Sequence, residues 1–181
     1  MKKFSRKEID KAVDVLNEAL QKKNIGQRIY LILIGAASLI VRYNLKRATR
    51  DIDIMDIGLS INRIGGLGSL LSQLGYHVVS DAIVNLHPDY LERVEHITQK
   101  GNVSVLCLGP YDLSISKISR GLARDIDDIV LSDVLEDQSL DILEQLYAEA
   151  SSYWIGNPEQ YKLNWDLFKD AYQKHQTKIP D

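Results

Sequence analysis

Asp51 and Asp53 stand two apart in the run Arg50-Asp51-Ile52-Asp53-Ile54. In an extended segment residues two apart share a face, so both carboxylates are aimed one way. Two like charges held so close repel each other unless a cation sits between them. A hard divalent ion such as Mg²⁺ meets that need, since it is usually held by one or two carboxylates together with substrate phosphates. The stretch just upstream has the complementary charge: Arg42, Lys46, Arg47 and Arg50 occur with no acid between Val41 and Arg50. Farther upstream an apolar run, Ile29 to Ile34, ends in Gly35-Ala36-Ala37-Ser38. Small residues at a strand-to-helix turn can offer backbone N–H groups to a phosphate. They also occur wherever a helix must pass close to a strand, so the turn gains its meaning only from the basic stretch and acidic pair downstream.

The elements that must position these residues can be read from periodicity. Ser5-Arg6-Lys7-Glu8 has capping-box spacing and Ile9, Val13, Leu16 and Leu20 come next at helical intervals, which predicts a helix of about 18 residues closing near Asn24 and Gly26. Ile29–Ile34 reads as a buried strand and Ala36–Leu45 as a helix. Asp51–Ile57 reads as a second strand, with Ile52 and Ile54 toward the core and Asp51, Asp53 and Met55 on the opposite face; the same parity puts Asp56 away from the acidic pair. Leu59–Leu74 keeps a helical period weakened by Gly65, Gly66 and Gly68, and Gly75–Val79 opens another strand. Val94–Thr98 and Val103–Leu108 flank Gly101-Asn102 as an antiparallel pair would. From Pro110 onward the pattern is helical, ending in a stripe of Tyr161, Trp165, Phe168 and Tyr172 that reads as core or as a docking face. The expected class is therefore α+β: a small mixed β-sheet with flanking helices and a helical C-terminal third. Residues 1–109 form the α/β core of this reading and residues 110–181 a helical region packed on it as one unit.

Composition narrows the function. The chain has 181 residues, 45% of them apolar and 26% charged, which is enough to build one substantial core. A net charge of −3 argues against a broad nucleic-acid surface. Cys107 is the one cysteine, so no disulfide or thiolate cluster is expected, and its apolar surroundings make it a buried strand residue. His77, His87, His96 and His175 are scattered without helical pairing, which argues against zinc. No Walker lysine loop and no nucleophile elbow occurs. The opening lysines have no apolar stretch behind them and nothing approaches the length of a membrane span, so the expected location is cytoplasmic.

With Gly35-Ala36-Ala37-Ser38 ahead of Arg47-Ala48-Thr49-Arg50-Asp51-Ile52-Asp53, the chain resembles the nucleotidyltransferase superfamily with the DNA polymerase β-like palm. Within it the likeness is to the minimal bacterial AbiEii-type branch of abortive-infection and toxin–antitoxin systems. A second likeness lies downstream, in Asp112-Leu113-Ser114-Ile115-Ser116-Lys117 and Arg124-Asp125-Ile126-Asp127-Asp128. The resemblance implies transfer of a nucleoside monophosphate from a nucleoside triphosphate to a protein or RNA acceptor. Asp51 and Asp53 would hold Mg²⁺ or Mn²⁺; Gly35, Ala36 and Ser38 would cradle phosphate oxygens, with Arg47 and Arg50 alongside; Lys117 would be a further cation near the triphosphate. Arg47 could instead support the acidic strand, and Arg124 and Asp128, four apart, are explained equally by a helix salt bridge.

Two departures qualify that reading. The superfamily usually adds a third carboxylate from a neighbouring strand, and here the candidate stretches Val78–Val84 and Val103–Leu108 contain only Asp81, with Asp89, Glu92 and Glu95 nearby. Ala36 replaces the second glycine of the opening motif. The alternative is a catalytically weak palm-like module serving as one partner of a two-component toxin–antitoxin pair; a domain whose acidic strand is incidental is the third possibility.

Overall fold

The computed structural model describes residues 4–56, 61, 64–80 and 84–177. Helix α1 (Arg6–Lys22) opens at Ser5, whose amide and hydroxyl both donate to the Glu8 carboxylate at 2.7 Å. An otherwise orphaned N-terminal donor is thereby satisfied. Ile9, Val13, Leu16 and Leu20 line its buried face, and the chain leaves through Asn24 in a left-handed conformation, φ 54°. Then come β1 (Ile29–Leu33), α2 (Gly35–Arg42), β2 (Ile52–Asp56), α3 (Leu67–Leu74), β3 (Tyr76–Ser80), β4 (Glu95–Lys100) and β5 (Val103–Cys107). Helices α4 (Pro110–Arg120), α5 (Ala123–Val130), α6 (Leu140–Ala150) and α7 (Pro158–Gln176) form the C-terminal part.

The five strands make one mixed sheet in the order β3-β2-β1-β5-β4. Central β1 runs antiparallel to β2 and parallel to β5, while β3 lies parallel to β2. The β4–β5 hairpin turns at Gly101-Asn102 with Lys100 opposite Val103, and its register shifts between His96 and Thr98. Helix α1 packs on β4 and β5 and against α2 and α3; helix α4 touches α5, α6 and α7 and also reaches α2. One buried apolar cluster runs through both parts of the chain, from Phe4 to Phe168. The architecture is α+β with a helical C-terminus. Among the described residues, no helix is long and apolar enough to cross a membrane.

Several boundaries differ from the pattern reading, each for a local reason. Helix α2 begins at Gly35 and stops at Arg42. Strand β2 covers Ile52–Asp56, so Asp51 lies just before it and Ile57 lies outside the described residues. Met55 does not share the exposure of Asp53: it is 1% exposed, because beyond Asp53 both faces of β2 are covered and burial stops alternating. Asp56, also buried, accepts the Ile61 amide at 3.0 Å. Helix α3 starts only after Gly66, which takes φ 76°, so the glycine pair ends a turn instead of sitting inside a helix; residues 59–60 and 62–63 of the longer expected helix lie outside the described ones.

Candidate active-site cleft

The sheet brings the glycine turn onto the acidic strand. The Ile34 amide donates to the Asp53 carbonyl at 3.0 Å, fixing the end of the β1 run beside the middle of β2. Gly35 then takes φ +62°, and a Cβ on it would lie 2.9 Å from Asp53 Oδ2. Both the left-handed backbone and the missing room require glycine there. On the other side, the β2–β3 register sets His77 opposite Asp53, with Nδ1 3.1 Å from Oδ1. One carboxylate oxygen thus lies against backbone and the other against imidazole.

These residues line a cleft of about 370 Å³. It runs from Gly35, Asp53 and His77 along β3 to Val84 and Asn85, and its opposite wall is Ser116, Ser119 and Arg120 of α4 together with Trp154. The Arg120 side chain is 54% exposed and anchored by a 2.6 Å bond from Nη2 to Asp125 Oδ1. A partly exposed carboxylate, an imidazole and a guanidinium therefore share one concave site with the N-terminal end of α2, an arrangement suited to a phosphorylated ligand and its counter-ion.

The sequence candidates divide sharply. Gly35 and Asp53 line the cleft. Asp51 is exposed at the start of the strand, Ala36 is half-buried, and neither lines the cleft. Ser38 is fully buried inside α2, because a helix that starts at Gly35 turns its fourth residue inward. The basic stretch does not rim the cleft: Arg42 pairs with Glu95 at 2.7 Å, Lys46 bonds Asn44, and Arg50 is exposed elsewhere. Arg47 turns to Asp128, donating from Nε to Oδ1 at 2.7 Å and from Nη2 to Oδ2 at 2.5 Å. That bond also replaces the helix pairing expected between Asp128 and Arg124.

Lys117 requires a correction. It is 1% exposed and donates to Asp125 Oδ1 at 2.9 Å and Asp128 Oδ2 at 2.8 Å, so it is the centre of a buried ion cluster and not a cation offered to a triphosphate. Burial pushes the Asp128 carboxyl up, but the hydrogen bonds from Arg47 and Lys117 outweigh it and hold the group below its ordinary value. Asp112, at the head of the same motif, is also structural: fully buried, it accepts a two-bond clasp from Arg93 at 2.7 and 2.9 Å. Cys107 is buried, and burial raises its thiol to about 11, as a core strand residue would behave.

No third carboxylate joins Asp53 among the described residues. Asp81 lies outside them, Asp56 binds the Ile61 amide, and Glu95 binds Arg42. Among the described residues, no three His, Cys, Asp or Glu side chains converge as a metal cage would need. The position across from Asp53 is filled by His77 instead. Sequence reasoning missed His77, Asn85, Arg120 and Trp154. The parallel β2–β3 register brings His77 to the cleft and the packing of α4 brings Arg120, and neither leaves a mark in local spacing.

No curated protein and no solved structure matches the chain. The model of the family described as "Nucleotidyltransferase of unknown function (DUF6036)" matches residues 10–174, a span that holds Gly35 and Asp53 and the helix bearing Arg120, and the chain belongs to that family.

Proposed function

We propose that the cleft binds the triphosphate of a nucleoside triphosphate and that the protein transfers the nucleoside monophosphate to a hydroxyl of a protein or RNA acceptor. The observation that carries this reading is the contact of Gly35 with Asp53 in a cleft whose far wall supplies Arg120. In such a transfer the acceptor oxygen bonds the α-phosphorus, the bond from that phosphorus to the bridging oxygen breaks, and pyrophosphate leaves. Arg120, held by Asp125, is placed to bind phosphate oxygens with its remaining N–H groups. Gly35 keeps side-chain bulk away from the carboxylate, and His77 fixes the orientation of Asp53.

The donor set fits Mg²⁺ or Mn²⁺ that arrives with the nucleotide and not an ion caged by protein alone, since one cleft carboxylate plus phosphates is enough for the first and too little for the second. Asp53 would hold it from the cleft, with Asp51, exposed just before β2, as the second candidate carboxylate. When bound, the ion neutralises charge on the departing pyrophosphate.

Calorimetry with Mg²⁺ and a nonhydrolysable triphosphate tests the reading, on wild type and on a protein carrying both Asp51→Asn and Asp53→Asn. Asn keeps the shape and removes the charge, so metal-dependent binding should vanish while the fold persists. Equal affinity in the two proteins would sink it. A second reading is favoured by one observation, that Asp53 is the only carboxylate lining the cleft among the described residues: a catalytically weak palm-like module, one partner of a two-component toxin–antitoxin pair. It expects nucleotide binding without transfer of label to any acceptor.

A further inference from the structure

We propose that Asn85 reads the nucleobase of the bound nucleotide, accepting a base N–H on its side-chain carbonyl; this rests on the nucleotide reading of the cleft. Two stacked tyrosines set the amide. Tyr147 and Tyr161 lie with ring centroids 4.1 Å apart. Each hydroxyl donates to the other residue's backbone carbonyl, both at 2.8 Å. Burial raises both phenols far above their ordinary range, so the hydroxyls stay protonated and their hydrogens stay committed.

A hydroxyl has one hydrogen to give. With that hydrogen spent on Tyr147, the Tyr161 oxygen can only accept from Asn85, and the Asn85 Nδ2 group lies 3.1 Å away. The relay therefore decides which way the amide is turned, a choice that an asparagine in open solvent leaves free. Its consequence is on the other side of the amide. Asn85 Oδ1 is buried and has no hydrogen-bond partner among the described residues. Buried acceptors without donors are rare in native structures and mark places where a ligand or water completes the site.

Asn85 lines the same cleft as Gly35, Asp53 and Arg120, together with Val84 and Trp154. A nucleotide laid with its phosphates at Gly35 and Arg120 would set its base against this part of the lining. The apolar and aromatic surroundings suit a flat heterocycle, for which an indole is a sequence-tolerant partner, and the preset carbonyl supplies the directional bond. A base edge always offers an N–H, whereas inorganic triphosphate has none.

Binding of Mg²⁺-tripolyphosphate and of Mg²⁺-loaded ATP, CTP, GTP and UTP analogues to wild type, Asn85→Leu and Asn85→Ala separates the base contact from the phosphate contacts. Wild type should bind at least one nucleotide about tenfold more tightly than tripolyphosphate. Both variants should lose that preference while binding tripolyphosphate as wild type does, which also certifies their fold. Asp53→Asn should weaken both ligands together. If wild type shows no nucleotide preference, or either folded variant keeps it, the role of Asn85 is overturned and the phosphate reading stands. If wild type binds neither ligand, the nucleotidyl-transfer reading fails first and the base subsite with it.

Discussion

Gly35 concentrates the physical demands of the site in one residue. Its φ of +62° costs an L-residue roughly 1–2 kcal/mol, and a Cβ would press within 2.9 Å of Asp53 Oδ2. Gly35→Ala should therefore lower stability by about 1–2 kcal/mol in urea unfolding and, by displacing the carboxylate, weaken Mg²⁺-dependent nucleotide binding. Unchanged binding in a destabilised Gly35→Ala protein would show that the Asp53 position is not critical. Asp53 and Gly35 were legible in the sequence because their roles depend on short-range facts: a glycine at the end of a buried run, and a carboxylate two positions from another in an extended segment. Arg120 and His77 were not, since a residue's address in a cleft depends on partners far away in the chain. Lys117 shows the same limit from the other side. It lies three residues before Arg120 on α4, so the two share one side of the helix, yet only one reaches solvent.

At the level of elements, helix α4 separates two functions that its sequence motif runs together. Lys117 ties α4 to α5 through Asp125 and Asp128, while Arg120 leans on the same Asp125 and reaches the cleft. Removing one member of a buried pair leaves charges without compensation, typically a loss of about 3–5 kcal/mol. Lys117→Met should cost about that much in denaturant titration with little change in nucleotide affinity per folded molecule. Arg120→Ala should do the reverse: little loss of stability, because Asp125 keeps Lys117, and roughly ten- to hundredfold weaker nucleotide binding from the lost charge-assisted bonds. A Lys117→Met protein that folds normally and binds no nucleotide would restore lysine as the phosphate cation. The elements themselves were largely readable. Helix α1 announced itself by its capping box, and the β4–β5 hairpin by Gly101-Asn102. The start of α3 was hidden because Leu67, Leu70, Leu71 and Leu74 keep a helical period that continues visually through glycines which in fact stop it.

Across the whole molecule, the ion cluster joins segments that are remote in the chain. Arg47, in the loop between α2 and β2, binds Asp128 on α5, which also binds Lys117 on α4. The loop that delivers the acidic strand is thus clamped to α5 and, through Asp128 and Lys117, to α4, the helix that forms the far wall of the cleft. No local pattern could have exposed this clamp, because its two sides are 81 residues apart. It makes stability depend on pH in a defined direction. Against the opposing effect of burial, the hydrogen bonds from Arg47 and Lys117 hold the Asp128 carboxyl below its unfolded value of 3.8. A group depressed in the folded state binds fewer protons there than in the unfolded chain, so its contribution is complete above the unfolded value and is lost as pH falls through the folded one. Urea unfolding should therefore show Asp128-dependent stability that is flat from pH 7 down to about 5 and declines below about 4. Asp128→Asn should lower stability at pH 7 and show a shallower decline in acid, because the titrating carboxylate is gone and Arg47 and Lys117 already lack it. Parallel acid profiles for wild type and Asp128→Asn would mean that the acid decline is set by groups other than Asp128.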